Sequence, residues 1–156
     1  MTGKMRVLIS DPVAEEGINI LQEGGLEVVV NTELNEDALC KEIKDYDALV
    51  VRSGTQVTRR VIQSGTRLKI IGRAGVGVDN VDIPTATNRG IVVVNSPAGN
   101  TFAAAELTLA HLLALARHLP QANASLKTGK WDRKKYTGIE VRKKVLGVVG
   151  LGKIGR

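Results

Sequence analysis

Short apolar runs alternate with segments of helical periodicity along most of the chain. The runs contain few interspersed polar residues, as expected for strands covered on both faces of a sheet. They predict strands at residues 6–10, 26–30, 48–51, 68–71 and 91–94. Five successive strand–helix units favour an α/β fold with a parallel sheet and helices on both sides.

The pattern changes after these units. A long helix is predicted from about Phe102 to Leu119, with Asn100 or Thr101 as its cap. Because its leucines leave little polar face, we expect it to be buried between two bodies. A further buried strand is predicted at residues 144–149.

Three glycines follow that last predicted strand with the spacing G-x-G-x-x-G, namely Gly150, Gly152 and Gly155. A strand before the motif and a helix after it favour dinucleotide binding, because backbone N–H groups at a helix start can hold phosphates. An ordinary glycine-rich turn is the alternative. The acidic residue that would contact the ribose is expected about 20 residues further on, beyond Arg156, so NAD and NADP are not distinguished.

A second glycine pair, Gly75 and Gly77, follows the strand at residues 68–71. Two glycines at this spacing can form a turn whose N–H groups converge on an anion. A structural turn held by the side chain of Asp79 or Asn80 is equally consistent with the spacing.

Arg52 and Ser53 follow the strand at residues 48–51. A guanidinium at the carboxyl end of a strand can bind a carboxylate or phosphate through two parallel hydrogen bonds. From the residues alone, a surface arginine in a salt bridge is the favoured interpretation.

The composition is that of an ordinary globular protein, with 43% hydrophobic and 24% charged residues. Aromatic residues make up only 3%, which argues against stacking platforms for single-stranded nucleic acid. Cys40 is the only cysteine, so a disulfide framework and a cysteine-rich zinc site are excluded, and we expect Cys40 to be inert core. No apolar run is long enough to span a bilayer, and a cytoplasmic location fits best.

The net charge of +6 is concentrated near the C-terminal end. Half of the 22 Lys and Arg residues lie in residues 117–156, together with only Asp132 and Glu140 as acidic residues. This excess indicates an anionic partner or a chain that stops before its acidic complement, and we favour the second interpretation. Arg133 and Lys134 could attract an anionic substrate or form a solvated loop.

Two histidines are candidates for proton transfer. His111 is expected to be packed in the core rather than to act as a base, and His118 to lie in the last turn of the long helix.

Taken together, these motifs resemble the D-isomer-specific 2-hydroxyacid dehydrogenases. The resemblance extends over nearly the whole chain from Met5, and two runs are typical of the branch that acts on phosphoglycerate. The stretches concerned are residues 51–55, 72–82, 95–100, 105–108, 129–136 and 146–156, of which 73–80 and 130–135 are the two runs.

The resemblance implies residue roles for substrate binding. Arg52, beside Ser53, would hold the substrate phosphate or carboxylate. The backbone of Gly75, Val76 and Gly77 would hold the carboxylate, and Val76 would also contact the cofactor. Arg133 or Lys134 would add positive charge near a phosphate. In one arrangement, this residue reaches the phosphate from a neighbouring subunit.

The resemblance also implies NAD as the cofactor, with Lys153 and Ile154 contacting its pyrophosphate inside the loop formed by Gly150, Gly152 and Gly155. It implies a flavodoxin-like substrate domain over residues 1–98 and the start of a Rossmann nucleotide-binding domain over residues 99–156. The family's catalytic arginine, glutamate and histidine lie after the glycine loop, so no catalytic residue is expected in this chain. We therefore expect an N-terminal fragment that is inactive alone.

The implied activity is oxidation of 3-phosphoglycerate to 3-phosphohydroxypyruvate in serine biosynthesis. Alternatives are a dehydrogenase of another D-2-hydroxy acid, such as glycerate or lactate, and a dinucleotide-sensing binding protein of the corepressor kind. We expect a small anionic substrate, a homo-oligomer of the complete protein, and no metal, nucleic acid or membrane partner.

Overall fold

The computed structural model describes residues 4–156. Five strands form one sheet in the order β2-β1-β3-β4-β5, and every neighbouring pair is parallel. The predicted α/β fold with a parallel sheet is therefore confirmed. The strands are β1 (Arg6–Ile9), β2 (Glu27–Val30), β3 (Ala48–Val51), β4 (Ile70–Arg73) and β5 (Val92–Asn95).

Each connection between consecutive strands contains a helix, and capping side chains set the start of three of these four helices. Asn35 accepts a hydrogen bond from the N–H of Ala38 at 2.9 Å, and Thr58 accepts one from the N–H of Val61 at 3.4 Å. These side chains satisfy donors that have no partner within the helix, which explains where the helices begin. The four helices are α1 (Glu15–Glu23), α2 (Glu36–Glu42), α3 (Arg59–Ser64) and α4 (Ile83–Asn88).

The core lies between the sheet and these helices. Leu8, Leu49 and Ile71 contribute fully buried side chains from the three central strands. Cys40 of α2 is also buried, as expected for a small apolar residue in the core.

The chain divides into two compact units, the first ending at Gly99 and the second spanning Asn100–Arg156. The second unit contains α5 (Thr101–Ala116), α6 (Leu119–Lys127) and a 3₁₀ helix (Arg133–Tyr136). His118 has a left-handed backbone, with φ of 53°, and separates α5 from α6. The prediction of one helix with His118 in its last turn is therefore wrong.

Helix α5 also differs from the sequence prediction in its burial. None of its residues is buried, and His111, expected in the core, is exposed. Asn100 precedes the helix, but its side chain makes no capping hydrogen bond. A helix buries an apolar face only where another element packs against it, and composition alone does not supply that element.

The strand predicted at residues 144–149 is absent. Val145 and Val149 are fully exposed, at 98% and 105% of their reference area. A strand requires a neighbouring strand for its hydrogen bonds, and the described residues of the second unit contain none. Turns replace the helix expected after Gly150.

Across residues 4–156, no helix combines the length and apolar character needed to cross a membrane.

Candidate functional site

Polar segments follow the strands at the carboxyl edge of the sheet. Asp11 lies just beyond β1, Arg52 directly follows β3, and the Gly75–Gly77 turn lies just after β4. Parallel strands bring these ends to one edge, where open α/β sheets bind ligands. The structure thus brings together Arg52, Ser53 and the Gly75–Gly77 turn, which the sequence singled out separately.

Asp11 holds the loop after β3. Its Oδ2 accepts hydrogen bonds from the N–H groups of Arg52 at 2.6 Å and Thr55 at 3.0 Å, and its Oδ1 accepts one from the Thr55 hydroxyl at 3.0 Å. Only 7% of Asp11 is exposed. A Cβ added to Gly54 would lie 2.7 Å from Oδ1 of Asp11, so the close approach requires glycine there. Sequence reasoning missed Asp11; the available signal was an acidic residue at the end of a strand.

The Arg52 side chain itself remains exposed. Its Nη1 lies 3.4 Å from the carbonyl oxygen of Pro12, and no acidic side chain in residues 4–156 forms a salt bridge with it. The salt-bridge interpretation of Arg52 is therefore not realised in this part of the chain. The guanidinium can instead donate to a ligand.

The Gly75–Gly77 turn is anchored mainly through its carbonyl groups. Gly75 O accepts from the N–H of Ser96 at 2.9 Å, and Val76 O accepts from Nδ2 of Asn95 at 2.6 Å. Among the described residues, the N–H groups of Val76 and Gly77 have no acceptor. Two adjacent free N–H groups in a turn are suited to a carboxylate.

Arg73 lies beneath this turn. Only 12% of its side chain is exposed, and its Nη2 is 3.9 Å from Oδ1 of Asp79. A Cβ added to Gly75 would collide with Nη1 of Arg73. The guanidinium therefore places positive charge under the turn. The sequence contained Arg73 within the motif, but no local signal distinguished it from a surface arginine.

Asn80 connects Arg73, at the end of β4, to the Arg52 loop. Its Nδ2 donates to the carbonyl oxygens of Arg52 at 2.6 Å and Thr55 at 2.7 Å, and its Oδ1 accepts from Nε of Arg73 at 3.2 Å. Asn80 is 6% exposed. Among the described residues, the Asn80 side chain makes no hydrogen bond to Gly75, Val76 or Gly77, so it holds the Arg52 loop and Arg73 rather than the turn itself.

The amino edge of the same sheet carries a different cluster. Buried Asp47 accepts from the N–H of Arg6 and forms ion pairs with Arg67 and Lys69, each at 3.1 Å. The Arg6 N–H, followed by the two cations, lowers the pKa of Asp47 against the opposing effect of burial. Both carboxylate oxygens of Asp47 are therefore occupied by the protein.

The glycine loop belongs to the second unit. Gly150 has a φ of 97°, which favours glycine, and a Cβ added to Gly155 would collide with the Gly150 carbonyl. A Cβ on Gly152 would meet no atom within 4 Å, so a phosphate could approach the backbone there. Ile154 and Lys153 lie within the same turn. The loop therefore contains positions that favour glycine, and turns replace the helix expected behind it.

Arg133 and Lys134 are exposed residues of the 3₁₀ helix. They line an open groove of about 840 Å³ together with Trp131 and Tyr136. This groove lies wholly in the second unit. Among residues 4–156, no group of three His, Cys, Asp or Glu side chains is placed to hold a metal ion.

Comparison with known proteins places these features in context. Residues 7–146 match the family model described as D-isomer specific 2-hydroxyacid dehydrogenase, catalytic domain. The chain is 58% identical over 150 residues to a D-3-phosphoglycerate dehydrogenase of Synechocystis sp., an alignment that covers 96% of this chain and 27% of that protein. The chain thus spans between a quarter and a third of the length of curated relatives that it matches.

Solved structures give the same picture. A protein of Thermus thermophilus superposes with a TM-score of 0.89 at 34% identity, covering 97% of this chain and 50% of that one. An NAD⁺-bound 3-phosphoglycerate dehydrogenase of Entamoeba histolytica superposes with a TM-score of 0.77 at 31% identity, covering 98% and 48%.

Proposed function

Because the chain belongs to the D-isomer specific 2-hydroxyacid dehydrogenases, we propose that it provides the substrate-binding part of an enzyme that oxidises 3-phosphoglycerate with NAD in serine biosynthesis. Residues 1–98 would form the substrate domain, and residues 99–156 would begin the nucleotide-binding domain. The Synechocystis relative and the Entamoeba structure support this substrate and cofactor for the proposal.

The carboxyl edge of the sheet is the observation that most supports the proposal. It offers a guanidinium on Arg52 without an acidic partner and two free N–H groups at Val76 and Gly77. Buried Asp11 and Asn80 hold the Arg52 loop, and Ser96 and Asn95 hold the turn. A phosphorylated hydroxy acid has two anionic ends. The guanidinium suits the phosphate, and the turn suits the carboxylate.

Oxidation at C2 removes a hydride from carbon and a proton from the hydroxyl oxygen. NAD, when bound, supplies the hydride acceptor. Gly150, Gly152, Lys153, Ile154 and Gly155 would hold its pyrophosphate through backbone N–H groups, because the loop leaves the Gly152 backbone open to approach.

The proton needs a base, and we assign none within residues 4–156. His111 is exposed on α5, His118 separates two helices, and neither forms a salt bridge with a carboxylate in this part of the chain. The residues at the carboxyl edge therefore bind and orient the substrate. As the resemblance implies, Arg133 or Lys134 would add positive charge near a phosphate.

A calorimetric titration and an absorbance assay test this proposal together. The 156-residue chain should bind 3-phosphoglycerate about 10-fold or more tightly than D-glycerate or D-lactate, because only the phosphorylated acid engages Arg52. With NAD and 3-phosphoglycerate it should form no NADH. Equal affinity for the three acids would reject phosphoglycerate as the substrate, and NADH formation would require a base among the described residues.

A valine at Gly152 separates cofactor binding from folding. Gly152→Val should leave the melting temperature unchanged, because the position has open space around it. In the protein that binds NAD, the same change should abolish NADH affinity, since the branched side chain would occupy the space of the pyrophosphate. Unchanged NADH affinity would show that the glycine loop is only a structural turn.

The proposal extends to partners and location. We propose a cytoplasmic protein that acts on a small anionic acid and forms a homo-oligomer, without nucleic-acid partners. The single free cysteine and the exposed leucines of α5 support the location and the self-association, respectively. Light scattering of the purified protein measures its assembly, and a monomer at all concentrations would contradict it.

A further inference from the structure

Asn80 is a buried side chain that bonds the loop after β3 and the guanidinium of Arg73, which lies beneath the Gly75–Gly77 turn. Its amide nitrogen donates to the carbonyl oxygens of Arg52 and Thr55, on the loop after β3. Its amide oxygen accepts from Nε of Arg73, beneath the turn after β4. Both amide hydrogens and the amide oxygen are thus used within the protein.

We propose that Asn80, supported by Arg73, is a positioning residue that fixes the distance between two anion subsites and so selects the length of the substrate. The inference rests on the proposed function, in which Arg52 holds the phosphate and the Gly75–Gly77 turn holds the carboxylate. Asn80 contacts neither anion. It acts through the backbone of Arg52 and through the guanidinium of Arg73.

The geometry supports a fixed spacing rather than a flexible one. The two hydrogen bonds donated by Asn80 are short, at 2.6 and 2.7 Å, and the residue is almost fully buried. The main chain of Asn80 also belongs to the same unit, because its carbonyl accepts from the N–H of Val57 at 2.8 Å. A buried network whose members are all satisfied holds one arrangement, since any other would leave a polar group without a partner.

Arg73 completes the connection on the side of the turn. Its guanidinium lies so close to Gly75 that the glycine cannot carry a Cβ without displacing it. The guanidinium of Arg73 therefore lies directly against the turn at Gly75. In this way the spacing of the two subsites depends on the hydrogen bond between Asn80 and Arg73.

The test compares two ligands that differ only at the phosphate end. The affinities of 3-phosphoglycerate and D-glycerate are measured by calorimetry for the wild-type chain and for the variants Asn80→Asp and Arg73→Lys. Asn80→Asp keeps the acceptor for Arg73 but loses both donors to the Arg52 loop. Arg73→Lys keeps the positive charge but loses the Nε donor.

We expect both variants to reduce the preference for 3-phosphoglycerate over D-glycerate by about 10-fold, because a substrate that spans both subsites depends on their spacing. Affinity for D-glycerate, which occupies the carboxylate subsite, should change much less. The control is Asn35→Ala, which removes a helix cap on α2 that bonds to neither Asn80 nor Arg73 and should leave the preference unchanged.

Each outcome distinguishes the inference from the proposed function. A wild-type chain without preference for the phosphorylated acid overturns the proposed function and the inference with it. A wild-type preference that survives unchanged in both folded variants overturns the inference alone. If Asn80→Asp does not fold, the substrate preference of Arg73→Lys tests the inference by itself, because this variant leaves the Asn80 bonds to Arg52 and Thr55 in place.

Discussion

The two edges of the parallel sheet each contain a buried aspartate, and the two aspartates are used differently. At the amino edge, Asp47 forms ion pairs with the side chains of Arg67 and Lys69, so two positive side chains neutralise its negative charge. At the carboxyl edge, Asp11 accepts from the backbone and hydroxyl of the Arg52–Thr55 loop, and the Arg52 guanidinium remains available. Only the second arrangement leaves a charged side chain without an acidic partner, and this is why we propose ligand binding at the carboxyl edge and a stabilising role for the amino edge.

Removal of Asp11 should have the largest effect. Asp11→Ala should lower the free energy of unfolding by about 3 kcal/mol, because two backbone N–H groups and a hydroxyl lose a charged acceptor. It should also abolish binding of 3-phosphoglycerate, since the Arg52 loop would no longer be held. Urea unfolding and calorimetry measure the two effects.

Thr85→Ala serves as a control for Asp11→Ala. It removes a hydroxyl that donates to Asp82, the residue that caps α4, and should cost less than half as much stability, with no loss of binding. If Asp11→Ala retained wild-type affinity, the carboxyl edge would not depend on Asp11.

Removal of the Arg52 side chain should affect binding without affecting folding. Arg52→Ala should weaken 3-phosphoglycerate binding by about 10-fold or more, equivalent to the roughly 1.5–3 kcal/mol of a charge-assisted hydrogen bond. Because the side chain is exposed and its backbone N–H remains bonded to Asp11, the melting temperature should stay the same. Unchanged affinity would reject Arg52 as the anion ligand, and the exposed Arg59→Ala is the matched control.

The contribution of the amino edge to the free energy of unfolding should depend on pH, and this edge should not bind the substrate. The Arg6 N–H, followed by the two cations, holds the pKa of Asp47 below its ordinary value of 3.8. These contacts therefore stabilise the folded state above that value and lose this contribution as pH falls through the lower, folded-state pKa. Asp47→Asn should lower the unfolding free energy at pH 7 by about 2 kcal/mol.

The difference between wild type and Asp47→Asn should shrink as the solution is acidified below about pH 4. Substrate affinity at pH 7 should be the same in both proteins. A stability difference that persisted at the lowest pH would show that Asp47 acts through packing rather than through its charge.

The smallest effect is expected at His111. His111→Ala should change the unfolding free energy by less than about 0.5 kcal/mol, as for other exposed positions, and should leave 3-phosphoglycerate binding unchanged. A larger loss of stability or affinity would show that this histidine has a partner in the folded protein.

The sequence predicted the first unit well because its signals are local. Caps at Asn35 and Thr58 and short apolar runs specify the helices and strands directly, and the parallel order follows from their alternation. The polar framework of the site could not be predicted in this way. Asp11 contacts residues more than 40 positions away, and Asn80 contacts Arg52 across 28 positions.

In the second unit, a local pattern predicted an element that the structure does not contain. The apolar pattern at residues 144–149 predicted a strand, but a pattern describes what a segment can bury and does not provide the neighbour to bury it against. The exposure of Val145 and Val149 is the result. The glycine spacing remained informative, because the positive φ of Gly150 is a local property.

The central claim is that the carboxyl edge of the sheet binds a phosphorylated hydroxy acid. Titration of the isotope-labelled chain with 3-phosphoglycerate, followed by heteronuclear NMR of the backbone N–H groups, tests it most directly. The account predicts saturable shifts at Arg52, Val76 and Gly77 and none at Asp47 or Lys69. Saturable shifts confined to the amino edge or to Arg133 and Lys134, with none at the Gly75–Gly77 turn, would contradict it.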